Sequence, residues 1–454
     1  MKKLLCLGIC IVTLFSLVAC GGGSDTPVTP PSNDTSDSPS SSGGSDNQPT
    51  AEEVENLEEL EGTFMMWNWD IPNNTNINAE FNKIYPKIQV EMLALQPQEL
   101  YERYQMAIAS GTEVGDIVWA ERSTHAAMLR VGGFEILDRA PYNIDRNMWL
   151  DSVIPFVVDA DDNVIGFDIS VCPAGLGYNL DLALEYLGTN DRAELEAMFP
   201  TWDSMIEKGQ EVYDASGGQY TIFANRDTVM APMQGQWTNY AVVDGELNLE
   251  KTIFPMFEKM IKIRDNNAAG LLDSWTPEFF ASMNEDNFIF IYLSSWAVEV
   301  ILQSNAPDMQ GKFGFMRTPE GDTSWGGTTM MIPSAAENKA LAFAYLSLLY
   351  GTREGADIIK DVSVQLVGLR EAFADPTFTS DTTPWFPGID LGAILYGEIA
   401  PNMTALFPNL DNQILVNAVM GPVIGEIIPY DLSFDEAKDR AFEIIAEQNF
   451  DFLN

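Results

Sequence analysis

Thr63-Phe64-Met65-Met66-Trp67-Asn68-Trp69 is an apolar, strand-like run that stops at Asp70 and the breaker Pro72. The segments after it set the fold class. Residues 79–85 predict a short helix closed by Pro86, and Ile88-Gln89-Val90-Glu91-Met92-Leu93 alternates as a strand. Residues 98–110 place Leu100, Tyr104, Ala107 and Ile108 on one helical stripe, closed by Gly111. Asp116-Ile117-Val118-Trp119 is the next strand, and Ser123 is positioned to cap a helix ending at Gly132-Gly133. Strand and helix alternate again further on. Phe288-Ile289-Phe290-Ile291-Tyr292 predicts a buried strand and Ser295 a cap beside Trp296, while Phe313–Met316 and Met330-Met331-Ile332 predict two more strands. Ser334-x-x-Glu337 and Ser433-x-x-Glu436 have the spacing of capping boxes for helices near 339–350 and 437–448. Such alternation predicts α/β layers around largely parallel sheets.

The N-terminus predicts an address. Met1-Lys2-Lys3 is basic, residues 4–18 are apolar but short for a membrane span, and Leu17-Val18-Ala19-Cys20 resembles a bacterial lipobox. On that resemblance residues 1–19 are a lipoprotein signal peptide, and Cys20 becomes the lipidated N-terminus. Residues 20–61, rich in Ser, Gly, Pro, Thr and acids, then read as a disordered tether. The expected location is the extracytoplasmic face of the cell membrane, held by lipid.

Composition narrows the function. The 454 residues carry 24 Lys+Arg against 67 Asp+Glu, a formal net charge of −43, and only ten of those acids precede Gly62. An acidic body without a basic stripe repels nucleic acid and anionic lipid alike. Cys6 and Cys10 lie in the signal and Cys20 is the lipid site, which leaves Cys172 with no partner for an internal disulfide. Residues 62–454 are long enough to be stable through a hydrophobic core.

Several short pieces in one order carry a family resemblance: residues 81–90, Ala107-Ile108-Ala109-Ser110-Gly111, Gly132-Gly133-Phe134, Leu176-Gly177-Tyr178-Asn179, Thr201-Trp202-Asp203, Ser294-Ser295-Trp296 and Gly326-Gly327. Together they resemble the extracellular solute-binding proteins of ABC importers related to maltose-binding protein. The resemblance implies the type II periplasmic-binding-protein fold, two α/β lobes joined by hinge strands with a ligand cleft between them. It places lobe 1 at about 62–168 and 318–370 and lobe 2 at about 171–317 and 371–454. It also implies a monomeric receptor without cofactor, whose partners are a carbohydrate and the permease subunits.

Ligands of open α/β sheets lie beyond strand carboxyl ends. Trp67, Asn68, Trp69 and Asp70 end the first strand, Glu121 follows the third, and Asp168 lies at an implied crossing. Trp325 and Gly326 sit at another crossing, and Trp237 and Trp385 lie in polar or Pro-rich loops. Trp296 matches the family position where an aromatic ring lies against sugar. An indole covers the C–H face of a pyranose, and carboxylates and amides serve its hydroxyls. Asn68, Asp70, Glu121 and Asp168 are the candidates for that rim. Alternation along the strand should point one of Trp67 and Trp69 inward. An acidic cleft would also suit a polyamine or other cation, and a peptide is a further alternative.

An enzyme is a distant alternative. The single histidine, His125, excludes His-rich zinc sites, and no Gly-x-Ser-x-Gly elbow accompanies it. Asp159-Ala160-Asp161-Asp162-Asn163 resembles half a calcium loop, but Val164 and Ser170 stand where Gly and Glu are needed, so a hairpin turn is expected. No catalytic or metal-ligating residue is assigned. No Gly-x-x-x-x-Gly-Lys-Ser/Thr occurs either, so an importer's ATPase must be another chain.

Overall fold

The computed structural model describes residues 48–453 apart from Val364, within one compact unit, Gly44–Asn454. Cys20 and the signal lie outside the described residues. In chain order the strands are β1 (Gly62–Asn68), β2 (Ile88–Ala94), β3 (Ile117–Glu121), β4 (Gly166–Asp168), β5 (Pro173–Asn179), β6 (Thr221–Phe223), β7 (Val242–Val243), β8 (Glu246–Leu247), β9 (Phe288–Ser294), β10 (Phe313–Met316), β11 (Thr323–Ser324) and β12 (Thr328–Met331).

The first sheet has the order β2-β1-β3-β12-β4. β1 runs parallel to β2 and β3, as the opening βαβ pattern requires, and β12 is antiparallel to β3 and β4. The second sheet has the order β10-β5-β9-β6, with β11 on β5. In it β6 and β9 are parallel, and β5 is antiparallel to β9, β10 and β11. β7 and β8 form a separate hairpin. β9 is buried along its whole length, which explains its unbroken apolar run.

The elements follow local chemistry, with boundaries that differ from the sequence reading. The helix after β1 spans Ile71–Ile84, starting earlier than the expected 79–85. Asp70 caps it by accepting from the Asn73 N–H, and Pro72 in its first turn starts the helix, because that N–H has no helical partner to lose. Glu121, not Ser123, caps Arg122–Val131 by accepting from the Ser123 N–H at 2.7 Å. The Ser334-x-x-Glu337 box does not form: Lys339–Gly351 begins after Asn338 without a side-chain cap. The Ser433–Glu436 box does form and opens Phe434–Gln448. Within the stretch read as tether, Ala51–Glu55 is a helix with a capping box between Thr50 and Glu53. Asp159 Oδ1 accepts from the backbone N–H groups of Asp161 and Asn163, a turn closed by the Val158–Val164 pair.

Two buried ionic groups bind the late chain to the first sheet. Asp116, 4% exposed, accepts from the N–H of Met65 at 2.8 Å and of Asn338 at 2.7 Å. Glu135 pairs with Lys339 at 3.1 Å, both almost fully buried, and accepts from the Tyr142 hydroxyl at 3.1 Å. A buried charge left without its partner is strongly destabilising, whereas removing both charges is nearly neutral. Lys339→Met should therefore lower stability by about 3–5 kcal/mol, and adding Glu135→Gln should restore most of it. Urea unfolding of the wild type and the two variants measures this, and a fully stable Lys339→Met protein would contradict it.

Candidate ligand cleft

Strand direction decides where the cleft lies. β1, β3 and β4 end on one edge of the first sheet, at Asn68, Glu121 and Asp168, and β12 begins there, with Thr328 opposite Glu121. β6 and β9 end on one edge of the second sheet, where β5 starts and β11 stops, with Ala174 opposite Ser294 and Ser324 opposite Pro173. The chain passes between these edges at 169–172 and at Trp325-Gly326-Gly327. Both crossings join the strand ends at which α/β sheets place ligands.

Arg122 stands at that junction, one residue past β3. Its backbone N–H donates to the Gly327 carbonyl at 3.2 Å. Its guanidinium pairs with Asp168 at 2.5 Å, donates to Thr329 Oγ1 at 3.1 Å and lies 3.6 Å from the centre of the Phe156 ring. Gly327 leaves the room: a Cβ there would come within 2.8 Å of the Arg122 Nη2. Asp168 is 1% exposed, and its second oxygen has no protein partner. Burial pushes its carboxyl up to about 6, opposed by the Arg122 charge.

Above this pair lies a cavity of about 430 Å³. Arg122, Ser123 and Phe156 line it beside the first sheet, Gln234, Trp237 and Tyr240 beside the second, and Ser324, Trp325 and Gly326 along the crossing. The C-terminal region closes it with Phe407, Asn409, Asn412, Gln413 and Asn417. That wall is held by Tyr240, whose hydroxyl donates to the Phe407 carbonyl at 2.9 Å, and by Asn412, whose Oδ1 accepts from the Ala241 N–H at 2.7 Å. Arg122 is the only charged side chain among the lining residues, and none is a carboxylate.

Behind the crossing is an aromatic wall. Trp325 stacks on Tyr292, with centroids 5.0 Å apart and planes 28° apart. It also meets Trp296 at 5.0 Å, and the Trp296 Nε1–H donates to the Trp325 carbonyl at 2.8 Å. Gly326, at φ +85°, permits this approach, since a Cβ would lie 3.1 Å from that Nε1.

The residues singled out from the sequence therefore divide. Trp237, Trp325 and Gly326 line the cavity, Trp296 backs Trp325, and Asp168 sits beneath Arg122. Glu121 and Asp70 cap helices, and Trp69 packs edge-on against Trp119 at 4.9 Å. Asn68 is fully buried at the end of β1, and neither carboxamide atom has a protein partner. None of these four lines the cavity, and two further expected contacts turn into the core. Trp67, 3% exposed, turns into the core against Gly115, whose missing Cβ makes the space. Trp385, 6% exposed, packs into the core beside Phe386. Arg122 and the amides at 409–417 were not anticipated. Arg122 could have been found as the residue next to Glu121, but no local pattern marks the amides.

Two α/β sheets, joined by crossing strands around a polar and aromatic cavity, define a hinge-type binding protein. The profile of the family described as "Bacterial extracellular solute-binding protein" matches residues 74–356, and the chain belongs to this family. Its members are binding proteins of ABC transporters, not enzymes. A comparison with curated protein sequences finds no match. Among solved structures, an extracellular solute-binding protein of family 1 is similar at TM-score 0.74 and 17% identity, over 86% of this chain and 100% of the other. The sugar-binding protein MalE from Xanthomonas citri aligns at TM-score 0.66 and 17% identity, over 86% and 98%. The galacto-N-biose/lacto-N-biose I-binding protein from Bifidobacterium longum aligns at 0.66 and 16%, over the same shares. The fold is the type II periplasmic-binding-protein fold.

The Asp168–Arg122 pair makes a testable statement about charge. As pH falls through about 6, Asp168 takes up a proton while Arg122 stays charged, so the cavity floor becomes more positive. Carboxyl-detected NMR titration, with Asp168→Asn to assign the signal, should show one aspartate with a midpoint well above the ordinary aspartate value of 3.8. A midpoint at or below 3.8 would contradict the burial argument.

Proposed function

We propose that this protein is a lipid-anchored receptor of an ABC importer that binds a neutral carbohydrate and presents it to permease subunits. The observation that carries the reading is the composition of the cavity. Indoles supply flat apolar faces, and amides and hydroxyls supply donors and acceptors. The one lining charge is a guanidinium already matched by Asp168. A pyranose asks for this combination. A polyamine or other cation does not, because it needs carboxylates that the wall lacks. The lacto-N-biose complex of the Bifidobacterium longum relative supports a carbohydrate by likeness.

The two sheets act as the cores of two lobes, about 62–168 with 325–370 and about 171–324 with 371–454. Because β11 pairs with β5 in the second sheet, the crossing back to the first follows Ser324. Rotation about 169–172 and 325–327 closes the lobes on the sugar. A ligand that binds only the folded protein stabilises it by RT ln(1 + L/Kd), where L is the free ligand concentration, so the gain keeps rising with ligand concentration after the site is full.

Trp325→Ala should weaken binding of the best saccharide by about 30-fold or more, the range of a central aromatic contact. Isothermal titration calorimetry against a saccharide panel chosen by thermal shift measures it. Unchanged affinity would remove the aromatic wall from the site.

The anchor rests on Cys20 alone. Cys20→Ala should abolish incorporation of labelled fatty acid and release the protein from the membrane fraction. Labelling that persists in the variant would overturn the assignment.

A further inference from the structure

A second cavity, of about 370 Å³, shares no lining residue with the first. It lies across the chain crossings from the ligand cleft. The Trp325 N–H donates to the Cys172 carbonyl and the Val171 N–H to the Leu366 carbonyl, both at 2.9 Å. The segment 169–172 therefore runs between 325–327 and 366–369. The ligand cavity borders one edge of this ribbon, at Ser324, Trp325 and Gly326. The second cavity borders the other edge, at Gln365 and Leu366.

The floor of the second cavity is apolar, made by the buried side chains of Val298, Leu366, Leu391 and Leu395. Two of its walls come from π-helical segments, Val298–Gln303 and Ala393–Ile399. Such segments are rare and concentrate at functional sites. The one other π-helical segment among the described residues, Val416–Met420, borders the ligand cavity.

The charged lining residues are Glu299, Lys360 and Asp381. Lys360 is already committed, since its ammonium donates to the carbonyls of Thr377 at 2.9 Å and Phe378 at 2.6 Å. Ser363 and Ser380 are committed too, donating to the Ile359 carbonyl at 2.9 Å and to Asp390 at 2.7 Å. The groups left over are acceptors. Among the described residues neither the Glu299 nor the Asp381 carboxylate forms an ion pair, and Gln365 Oε1 has no protein partner. Partial burial and the Asp390 carboxylate push the Asp381 carboxyl up, opposed by Lys360, so its charge is undercompensated. An apolar floor with unmatched acceptors suits a molecule with an apolar body and an ammonium head, whose N–H groups donate to those acceptors. A sugar is less well served, because no indole lines this space.

We propose that this cavity is a second binding site, separate from the sugar cleft, for a small organic ammonium ion with an apolar body. It stands independently of the carbohydrate reading.

The test is calorimetric titration with hexylammonium, with hexanol and hexanoate as neutral and anionic counterparts of the same length. Wild type is compared with the double variant Glu299→Gln/Asp381→Asn and with Trp325→Ala. A second double variant, Glu91→Gln/Glu113→Gln, removes the same charge from exposed positions outside the cavity. Hexylammonium should bind wild type, and hexanol and hexanoate more weakly by about 10-fold or more, the worth of two partly exposed charge pairs. The Glu299/Asp381 variant should lose about 10-fold in hexylammonium affinity with an unchanged unliganded melt, while the other two variants keep it. No hexylammonium binding to wild type would overturn the site. Equal binding of hexanol would reduce it to an apolar void. Equal losses in the two acid variants would assign the binding to the diffuse field of the chain. Loss in Trp325→Ala alone would place the amine in the ligand cleft, overturning the second site and the neutral-carbohydrate reading together.

Discussion

The insertion of Thr328–Met331 between Ile117–Glu121 and Gly166–Asp168 organises the molecule. A strand from late in the chain enters a sheet built by its beginning, so the chain must leave that sheet and return. Each passage joins the carboxyl edges of two sheets. Thr329 sits opposite Asp168 in this insertion and accepts from Arg122, whose own N–H is bound to Gly327. Strand pairing, the buried ion pair and the tight glycine approach are thus one connected structure at the floor of the cleft. Disturbing any one of them would move the others.

Charge is distributed against the average. The chain carries −43, yet the cavity wall contains no carboxylate and one arginine. High net charge keeps a protein soluble and sets its long-range field. Selectivity is decided at short range, where Asp168 offsets Arg122 and amides face the space. The overall acidity that made a cation plausible from composition therefore says little about the ligand.

The aromatic wall shows how stability and recognition share residues. Tyr292 stacks on Trp325, Trp296 meets its ring and donates to its carbonyl, and Trp275 stacks in turn on Trp296. Aromatic pairs in these geometries add to plain area burial, so the platform is held before a ligand arrives.

The sequence by itself determined the α/β class, through runs such as 63–69, 88–93 and 288–292, and it carried the family through short matches in a fixed order. It also singled out Trp237 as an indole in a polar loop, and the family resemblance singled out Trp325 and Gly326 at a crossing. Only tertiary structure decided which aromatic residues reach the cavity. Trp67 and Trp385 are chemically the same as Trp325, yet one packs on Gly115 and the other beside Phe386. Helix starts shifted for a similar reason: a cap depends on which oxygen reaches a free N–H, so Glu121 took the place expected for Ser123. Arg122, the 409–417 amides and Trp275 come from segments far apart in the chain, and local periodicity carries no record of which segments meet.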